Sequence, residues 1–247
     1  MLSTLVLILA GLAAGALNAV AGGGTFLSFP ALVWLGVPPV MANATATLTA
    51  LPGYLSSAWA FRHDISAEGS VGLKLMLALA ILGGFIGALL LMITPDEIFV
   101  GIVPWLLLTA TVLFAAGPWI VPRLAGAHGL PKAAASAVLI AVSIYGGYFN
   151  GGLGIMLLAA FSLIGFSNLH GMNGLKNVLS ALLSTVSALT LALAGLIAWE
   201  SALILAIATA AGGYLGGHYS RRIRNMTLLR AGITAVGAAM TIAFFLN

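Results

Sequence analysis

Two glycine-rich segments, each beginning with an asparagine, interrupt an otherwise apolar sequence. The residues concerned are Asn18, Gly22, Gly23, Gly24 and Thr25 in the first segment, and Asn150, Gly151, Gly152 and Gly154 in the second. Each glycine costs a helix about 1 kcal/mol relative to alanine, so these runs do not serve helix stability. A helix broken within a membrane frees backbone groups that lipid cannot satisfy, so the break must face protein or a polar cavity.

A helix that starts directly after such a break presents free N–H groups and the positive end of its dipole. Thr25 and Ile155 are predicted to begin helices of this kind. Helix N-termini bind anions without needing a charged side chain. The two segments therefore predict a substrate site for a small anion. The candidate ligands are the nine residues named above for the two glycine-rich segments.

A polar face on the helix after the second break extends this candidate site. Its members, at spacings of four, three, four and three residues, are Asn173, Asn177, Ser180, Ser184 and Ser187. The related helix of the first half carries Asn43, Thr47 and Ser57, with Tyr54 between them. Such a face either bonds neighbouring helices or lines a cavity. For the serines alone we favour bonding between helices. For the asparagines we favour the cavity, and we add Asn43, Thr47, Asn173 and Asn177 to the site.

Lys176 is the one basic residue within these motifs. It is also a candidate for the substrate site, where it would attract an anion. Alternatively, its long side chain extends to the cytoplasmic surface from one turn inside the membrane. The sequence favours neither interpretation.

The composition is that of an integral membrane protein. The 247 residues are 62% hydrophobic and 6% charged, with a mean hydropathy of +1.16, whereas a soluble domain is about 25% charged. The apolar runs do not alternate with polar residues, which predicts helices rather than a β-barrel. The absence of cysteine excludes disulfides and thiolate chemistry. The four histidines have no ligand spacing, so we expect no metal and no cofactor: they are His63, His128, His170 and His218.

The arrangement of basic residues predicts the sidedness of the membrane segments. All nine lysines and arginines lie in or beside loops that we assign to the cytoplasm, so the formal charge of +4 reflects topology rather than nucleic-acid binding. Residues 1–116 are predicted to form a first membrane repeat, 117–132 a cytoplasmic connector, and 133–247 a second repeat. Each repeat is predicted to be a glycine-broken hairpin followed by three transmembrane helices, for about eight to ten membrane segments in total.

The two halves also match in sequence, at an offset of 129 to 132 residues. The sidedness makes their hairpins enter from opposite faces, which predicts inverted-topology repeats. Such repeats with glycine-interrupted segments are the best sequence pointer to a secondary transporter. The return arm Thr25–Gly36, at about 18 Å, is too short for a bilayer core of roughly 30 Å. The two glycine turns are therefore expected within the membrane, where they could meet.

Acidic residues are confined to the predicted loops. They are Asp64, Glu68, Asp96, Glu97 and Glu200. Proton relays usually need a carboxylate or histidine within a span, so a cation carrier is disfavoured and an anion pathway is favoured. With a negative cell interior, export of a monovalent anion gains about 2.3 kcal/mol per 100 mV and needs no coupling ion.

The motifs resemble those of the sulfite exporter TauE/SafE family of bacterial membrane permeases. Asn18–Leu32, Leu35–Pro39 and Ala42–Thr47 resemble its first-half motif, and Gly146–Gly154 with Asn173–Asn177 its second. The resemblance covers nearly the whole chain and implies transport of sulfite, organosulfonates or related small anions across the inner membrane. One departure is the asparagine of Asn150-Gly-Gly, where the family pattern has Gly-Ala-Gly; this change could shift substrate preference.

Other functions remain as alternatives. Uptake of small carboxylates or another anion would need the same architecture. An intramembrane enzyme is disfavoured because the chain has no GxSxG or HExxH motif and no carboxylate within a span. A membrane scaffold would not require two symmetric glycine breaks. Close packing at the GxxxG pairs, Gly83–Gly87 and Gly213–Gly217, would occur either within the chain or in a homodimer.

Overall fold

The computed structural model describes residues 2–20, 22–60, 62, 70–124, 130–166, 168–220 and 226–246. Within these ranges the chain is all-helical. The ten helices are α1 (Leu2–Val20), α2 (Thr25–Trp34), α3 (Pro39–Ala60), α4 (Leu73–Met92), α5 (Asp96–Leu124), α6 (Lys132–Tyr148), α7 (Leu153–Ile164), α8 (Leu169–Leu193), α9 (Trp199–Ser220) and α10 (Met226–Leu246). Predicted loop residues outside the described ranges are His63, Asp64, Glu68, His128, Arg221, Arg222 and Arg224.

Helices α2 and α7 are the short return arms of the two predicted hairpins. They have 10 and 12 residues, or about 15 and 18 Å at 1.5 Å per residue. Each arm is followed by a glycine with a positive φ, +86° at Gly36 and +101° at Gly165. Helix α2 begins at Thr25 as expected, but α7 begins at Leu153, two residues before the predicted Ile155, because Gly152 adopts the left-handed conformation that ends the turn.

The first repeat is predicted to end at residue 116, but the helix that contains this residue ends later. Helix α5 continues to Leu124, so the first eight residues of the predicted connector, 117–124, are helical. Apolar Trp119, Ile120 and Val121 extend the run beyond Gly117, and Arg123 lies in the last turn, where a cation complements the helix dipole. Residues 125–129 of the connector lie outside the described ranges.

The outer surface of the helix bundle is apolar. Large side chains such as Leu193 and Leu246 are 90% and 82% exposed. All five tryptophans are exposed, and three of them lie at helix ends: Trp34, Trp59 and Trp199. Tryptophans favour the membrane–water interface. Four of the described helices are long and apolar enough to cross a bilayer, in segments Leu2–Ala19, Leu73–Met92, Asp96–Leu113 and Gly171–Leu193. The protein is therefore a polytopic helical membrane protein.

Helix contacts pair the two halves in a regular way. Helix α1 packs on α9 and α6 packs on α4; α3 packs on α9 and α8 packs on α4; α7 packs on α5 and α2 packs on α10. Each of these contacts has a counterpart five helices along the chain. Helices α3 and α8 pack on each other, as do α5 and α10. The first arm of each hairpin thus packs on a helix of the other half.

The small residues of α4 and α9 make these contacts within the chain. On α4, Gly83 lies against Ser143 and Gly87 against Ile144 of α6. On α9, Gly212 lies against Leu12 and Gly216 against Ala16 of α1. Loss of the side chain at these positions lets the helix backbones approach closely. For the predicted pair Gly83–Gly87 the described residues support packing within the chain. Of the second predicted pair, Gly213 lies against Ser56 of α3, and the surroundings of Gly217 are not described.

Candidate functional site

The turns of the two hairpins contact each other. Gly22 and Gly152 have φ values of +78° and +75°, in the left-handed region that glycine adopts readily. A Cβ atom added to Gly22 would lie 2.9 Å from Cα of Gly154, and one added to Gly154 would lie 2.8 Å from Cα of Gly22. The backbones of the two turns therefore meet with no space for a side chain between them.

Asn18 closes the first hairpin. Its buried Oδ1 accepts a hydrogen bond from the backbone N–H of Gly24 at 2.7 Å. This bond joins the last turn of α1 to the residue that precedes α2. No side chain caps the N-terminus of α2, and the buried hydroxyl of Thr25 has no hydrogen-bond partner among the described residues. Asn18 thus holds the turn. The N–H groups of Phe26 and Leu27 donate to the carbonyls of the glycines before α2, so these first-turn N–H groups are not free, contrary to the prediction from the sequence.

Asn150, the sequence counterpart of Asn18, has a different role. Its Oδ1 accepts a hydrogen bond from the Tyr54 hydroxyl of α3, and its Nδ2 donates to Ser184 Oγ of α8, both at 2.8 Å. All three side chains are buried. Asn150 therefore links the turn of the second hairpin to one helix from each half, rather than closing its own hairpin.

Tyr54 and Ser184 were not among the candidate site residues, although both belong to polar faces that the sequence shows. They are 130 residues apart, the same offset that relates Asn43 to Asn173. Equivalent positions of two repeats tend to lie across the axis that relates them, so this offset was a signal that the two side chains could share a partner. The sequence gave no indication that Asn150 would be that partner.

Lys176 is fully buried beside the contact between the two turns. A Cβ added to Gly154 would lie 3.2 Å from Lys176 Cδ, and Lys176 Nζ donates to Asn173 Oδ1 at 3.2 Å. The amide of Asn173 is the partner that the described residues provide, and it is neutral. A buried side chain does not agree with the alternative in which the lysine extends to the cytoplasmic surface. The cation instead lies inside the bundle without a described carboxylate partner.

Several buried polar atoms have no hydrogen-bond partner in the described part of the chain. They are Thr25 Oγ1, Asn43 Oδ1, Ser57 Oγ, Thr111 Oγ1, Asn177 Oδ1, Asn177 Nδ2 and Ser180 Oγ. An unsatisfied buried polar group costs about 1–3 kcal/mol, so native proteins rarely leave many of them. Three of the predicted site residues, Thr25, Asn43 and Asn177, are in this group. The unused donors and acceptors of these residues are suited to hydrogen bonds with a polar ligand or with water.

The remaining candidates make contacts within the fold. The Thr47 hydroxyl donates to the carbonyl of Asn43 at 2.9 Å, and Asn43 Nδ2 donates to the carbonyl of Tyr148 at 2.8 Å. The carbonyl of Gly151 accepts the Tyr145 hydroxyl at 2.7 Å. A Cβ on Gly152 would meet Ala110 at 2.6 Å, and one on Gly23 would meet the Phe26 ring at 3.2 Å. The structure thus places Thr47, Gly23, Gly151 and Gly152 in packing contacts that shape the turns.

Metal ligation finds no support in the described residues, where no three His, Asp or Glu side chains cluster. The side chains of His170 and His218 are not described, and His63 and His128 lie outside the described ranges. The described chemistry near the turns consists of amides, hydroxyls and one ammonium group. These groups are suited to binding a small polar anion, and they include no carboxylate or thiol nucleophile.

Comparison with known proteins identifies related sequences. The sequence model of the sulfite exporter TauE/SafE family matches residues 7–244. The probable membrane transporter protein YfcA of Escherichia coli K12 is 30% identical over 96% of this chain and 87% of its own length. A probable membrane transporter protein of Haemophilus influenzae is 28% identical over 96% and 92%, and one of Sinorhizobium, ORF9, is 27% identical over 87% and 82%. No solved structure matches the chain.

Proposed function

The chain belongs to the sulfite exporter TauE/SafE family, and we propose that it is a permease that exports small sulfur-containing anions, such as sulfite or organosulfonates. Its relatives are named as membrane transporters, and the protein is a multi-pass transporter of the inner membrane. The choice of anion and the direction of transport are the proposed part. Uptake of small carboxylates is the second candidate, because an ammonium group would bind a carboxylate as well as a sulfonate.

The observation that carries the proposal is the burial of Lys176 at the contact between the turns. Burying an isolated ion costs several kcal/mol, and an opposite charge recovers this cost only when it is close and well bonded. The described residues give Lys176 a neutral amide as partner. An anion bound beside Gly22 and Gly154 would supply the missing charge. The unpartnered Thr25 hydroxyl and Asn177 amide would add hydrogen bonds to its oxygens.

The proposed transport mechanism uses inverted repeats. The paired helix contacts, each with a counterpart five helices on, support a twofold relation between helices α1–α5 and helices α6–α10. The basic loops assign the two hairpins to opposite faces of the membrane. Arms of about 15 and 18 Å would then end near the midplane, where their turns touch. Movement of one hairpin relative to the other would open the site to each side in turn.

Flux measurements on purified protein in liposomes test this function. We expect Lys176→Gln to lower the apparent affinity for sulfite by about 30-fold or more, since truncating one partner of a buried charge pair costs roughly 2–5 kcal/mol. The matched control is Lys74→Gln, which removes an exposed lysine at the start of α4 and should leave flux unchanged. Equal flux of both variants and the parent protein would exclude Lys176 as the anion ligand.

The direction of transport is tested with a membrane potential. Export of a monovalent anion without a coupling ion should accelerate when the interior is negative, with a driving force of about 2.3 kcal/mol per 100 mV. A flux that ignores the potential and follows a proton gradient would contradict this mode. Parallel measurements with acetate and sulfite separate the two candidate substrate classes.

A further inference from the structure

A group of unpartnered polar atoms between α3 and α8 restricts the kind of anion that the site would accept. The atoms are Ser57 Oγ on α3 and Asn177 Oδ1, Asn177 Nδ2 and Ser180 Oγ on α8. Ser57 is 1% exposed, and Asn177 and Ser180 are fully buried. None of them has a hydrogen-bond partner in the described part of the chain.

These atoms lie at the same level of the bundle. Helices α3 and α8 are antiparallel, because Thr45 near the start of α3 accepts a hydrogen bond from the N–H of Ala198, which follows α8, at 3.0 Å. Further along, Tyr54 and Ala181 belong to one buried cluster. Both helices rise about 1.5 Å per residue. Because they run in opposite directions, Ser57, three residues after Tyr54 on α3, lies level with positions 177–178, three or four residues before Ala181 on α8. Ser57 therefore lies at the level of the turn that holds Asn177 and Ser180.

The neighbours on both sides of this group are already bonded to each other. On one side, the Tyr54 hydroxyl hydrogen is used in its bond to Asn150, which in turn donates to Ser184, one turn from Ser180. On the other side, Lys176 Nζ is bonded to Asn173, one turn from Asn177 on the same face. The group between them thus combines one adjacent positive charge with an amide whose donor and acceptor are both free.

The amide of Asn177 requires two kinds of partner. Its NH₂ group would bond an anionic oxygen, but its Oδ1 only accepts hydrogen bonds. An anion that carries acceptors alone would leave this oxygen unpaired and would repel it. Exchange of the oxygen and nitrogen positions of the amide changes nothing, since either orientation presents one acceptor. A ligand that satisfies this amide directly therefore contributes a donor as well as negative charge.

We infer that the substrate is a monovalent anion that also carries an O–H donor, of the class of hydroxyalkanesulfonates or hydrogen sulfite. This inference rests on the proposed function and narrows its substrate class. One negative charge matches the single ammonium group of Lys176. The donor bonds Asn177 Oδ1, and the hydroxyls of Ser57 and Ser180 can donate or accept as the ligand requires.

A pair of sulfonates of similar size tests the inference. 2-Hydroxyethanesulfonate and propane-1-sulfonate are both monovalent at neutral pH, and they differ by a hydroxyl in place of a methyl group. In proteoliposomes made with the full chain, we expect the hydroxyl compound to compete with sulfite flux at least about tenfold more strongly, because its analogue leaves a buried acceptor unpaired. Asn177→Leu should reduce this preference to about twofold or less.

The control variant is Ser187→Ala, on the same face of α8. Its hydroxyl is bonded to the carbonyl of Gly84 at 3.0 Å, so the preference for the hydroxyl compound should persist. Equal competition by both sulfonates in the parent protein would overturn the inference and leave the proposed function intact, and it would mean that water satisfies Asn177. A preference that survives Asn177→Leu would overturn the assignment to this amide. Failure of sulfite and both sulfonates to bind or move would overturn the proposed function itself.

Discussion

Replacing Gly22 by alanine tests the contact between the two glycine turns. The substitution carries two separate costs. A left-handed backbone, with φ at +78° here, costs a residue with a Cβ roughly 1–2 kcal/mol. The new Cβ would also lie 2.9 Å from Cα of Gly154, and overpacking of this kind costs about 1–3 kcal/mol. We expect the free energy of unfolding to fall by about 2–5 kcal/mol if the costs add.

Two further alanine variants separate these costs. Gly36 has a φ of +86° and no atom within 4 Å of an added Cβ, so Gly36→Ala should show the backbone cost alone. Gly154 is not among the glycines with positive φ, but its Cβ would lie 2.8 Å from Cα of Gly22. Gly154→Ala should therefore show the overpacking cost without the backbone cost, offset by at most about 1 kcal/mol because Gly154 lies in α7 and alanine favours a helix more than glycine does. Because Gly22 and Gly154 are in contact, the double variant should depart from additivity.

Denaturant unfolding in detergent gives the three free energies, and sulfite flux in liposomes gives the functional effect. We expect Gly22→Ala to be the least stable of the single variants and to transport more slowly than Gly36→Ala, since separating the turns displaces the site beside Lys176. The reasoning is refuted if Gly22→Ala and Gly36→Ala are equally stable and both transport at the parent rate. That result would mean that the turns do not touch in the folded protein.

Two other predictions concern side chains that join separate helices. Tyr54→Phe should destabilise the protein by about 1–3 kcal/mol, since it leaves the buried Asn150 Oδ1 without its donor. Thermal unfolding measures this, with Tyr148→Phe as the control, because that variant loses only a 3.5 Å contact with Thr94. Equal melting temperatures of the two variants would count against the prediction. Asp96→Ala should cost about 0.5–2 kcal/mol, because Asp96 Oδ1 accepts from Val40 N–H at the start of α3 at 2.8 Å. The exposed Glu97→Ala is the control, and similar losses in both variants would contradict the capping role.

The helices and the two turns could be predicted from the sequence because their causes are local. Long apolar runs specify membrane helices, and the glycines at positions 22–24 and 151–152 separate helices at the predicted places. Glycine alone does not decide this, because Gly83-Gly84 lies within the continuous helix α4. The start of α2 at Thr25 agrees with the prediction. The main difference concerns the end of helix α5. The sequence assigns Pro118 and the apolar residues after it to a connector, whereas the helix continues to Leu124.

The partners of the site residues could not be predicted in the same way. Asn18 and Asn150 are equivalent in sequence, yet one bonds its own hairpin and the other bonds Tyr54 and Ser184. Which bond forms depends on the rotation of α3 and α8 and on their register, which are set by packing over the whole bundle. The environment of Lys176 is similarly decided by the approach of Gly154, a contact between residues in different helices.

The exchange of hairpin arms between the halves has a consequence for synthesis in the cell. Helix α1 is made first, but its packing partner α9 begins at Trp199, close to the end of the chain. At 5–20 residues per second, the roughly 180 residues between them take about 10–40 s to translate. During that time the small-residue face of α1, which includes Gly15, has no native partner. The nascent first half must therefore wait in the membrane, covered by lipid or by an insertion factor, until the second half arrives to complete it.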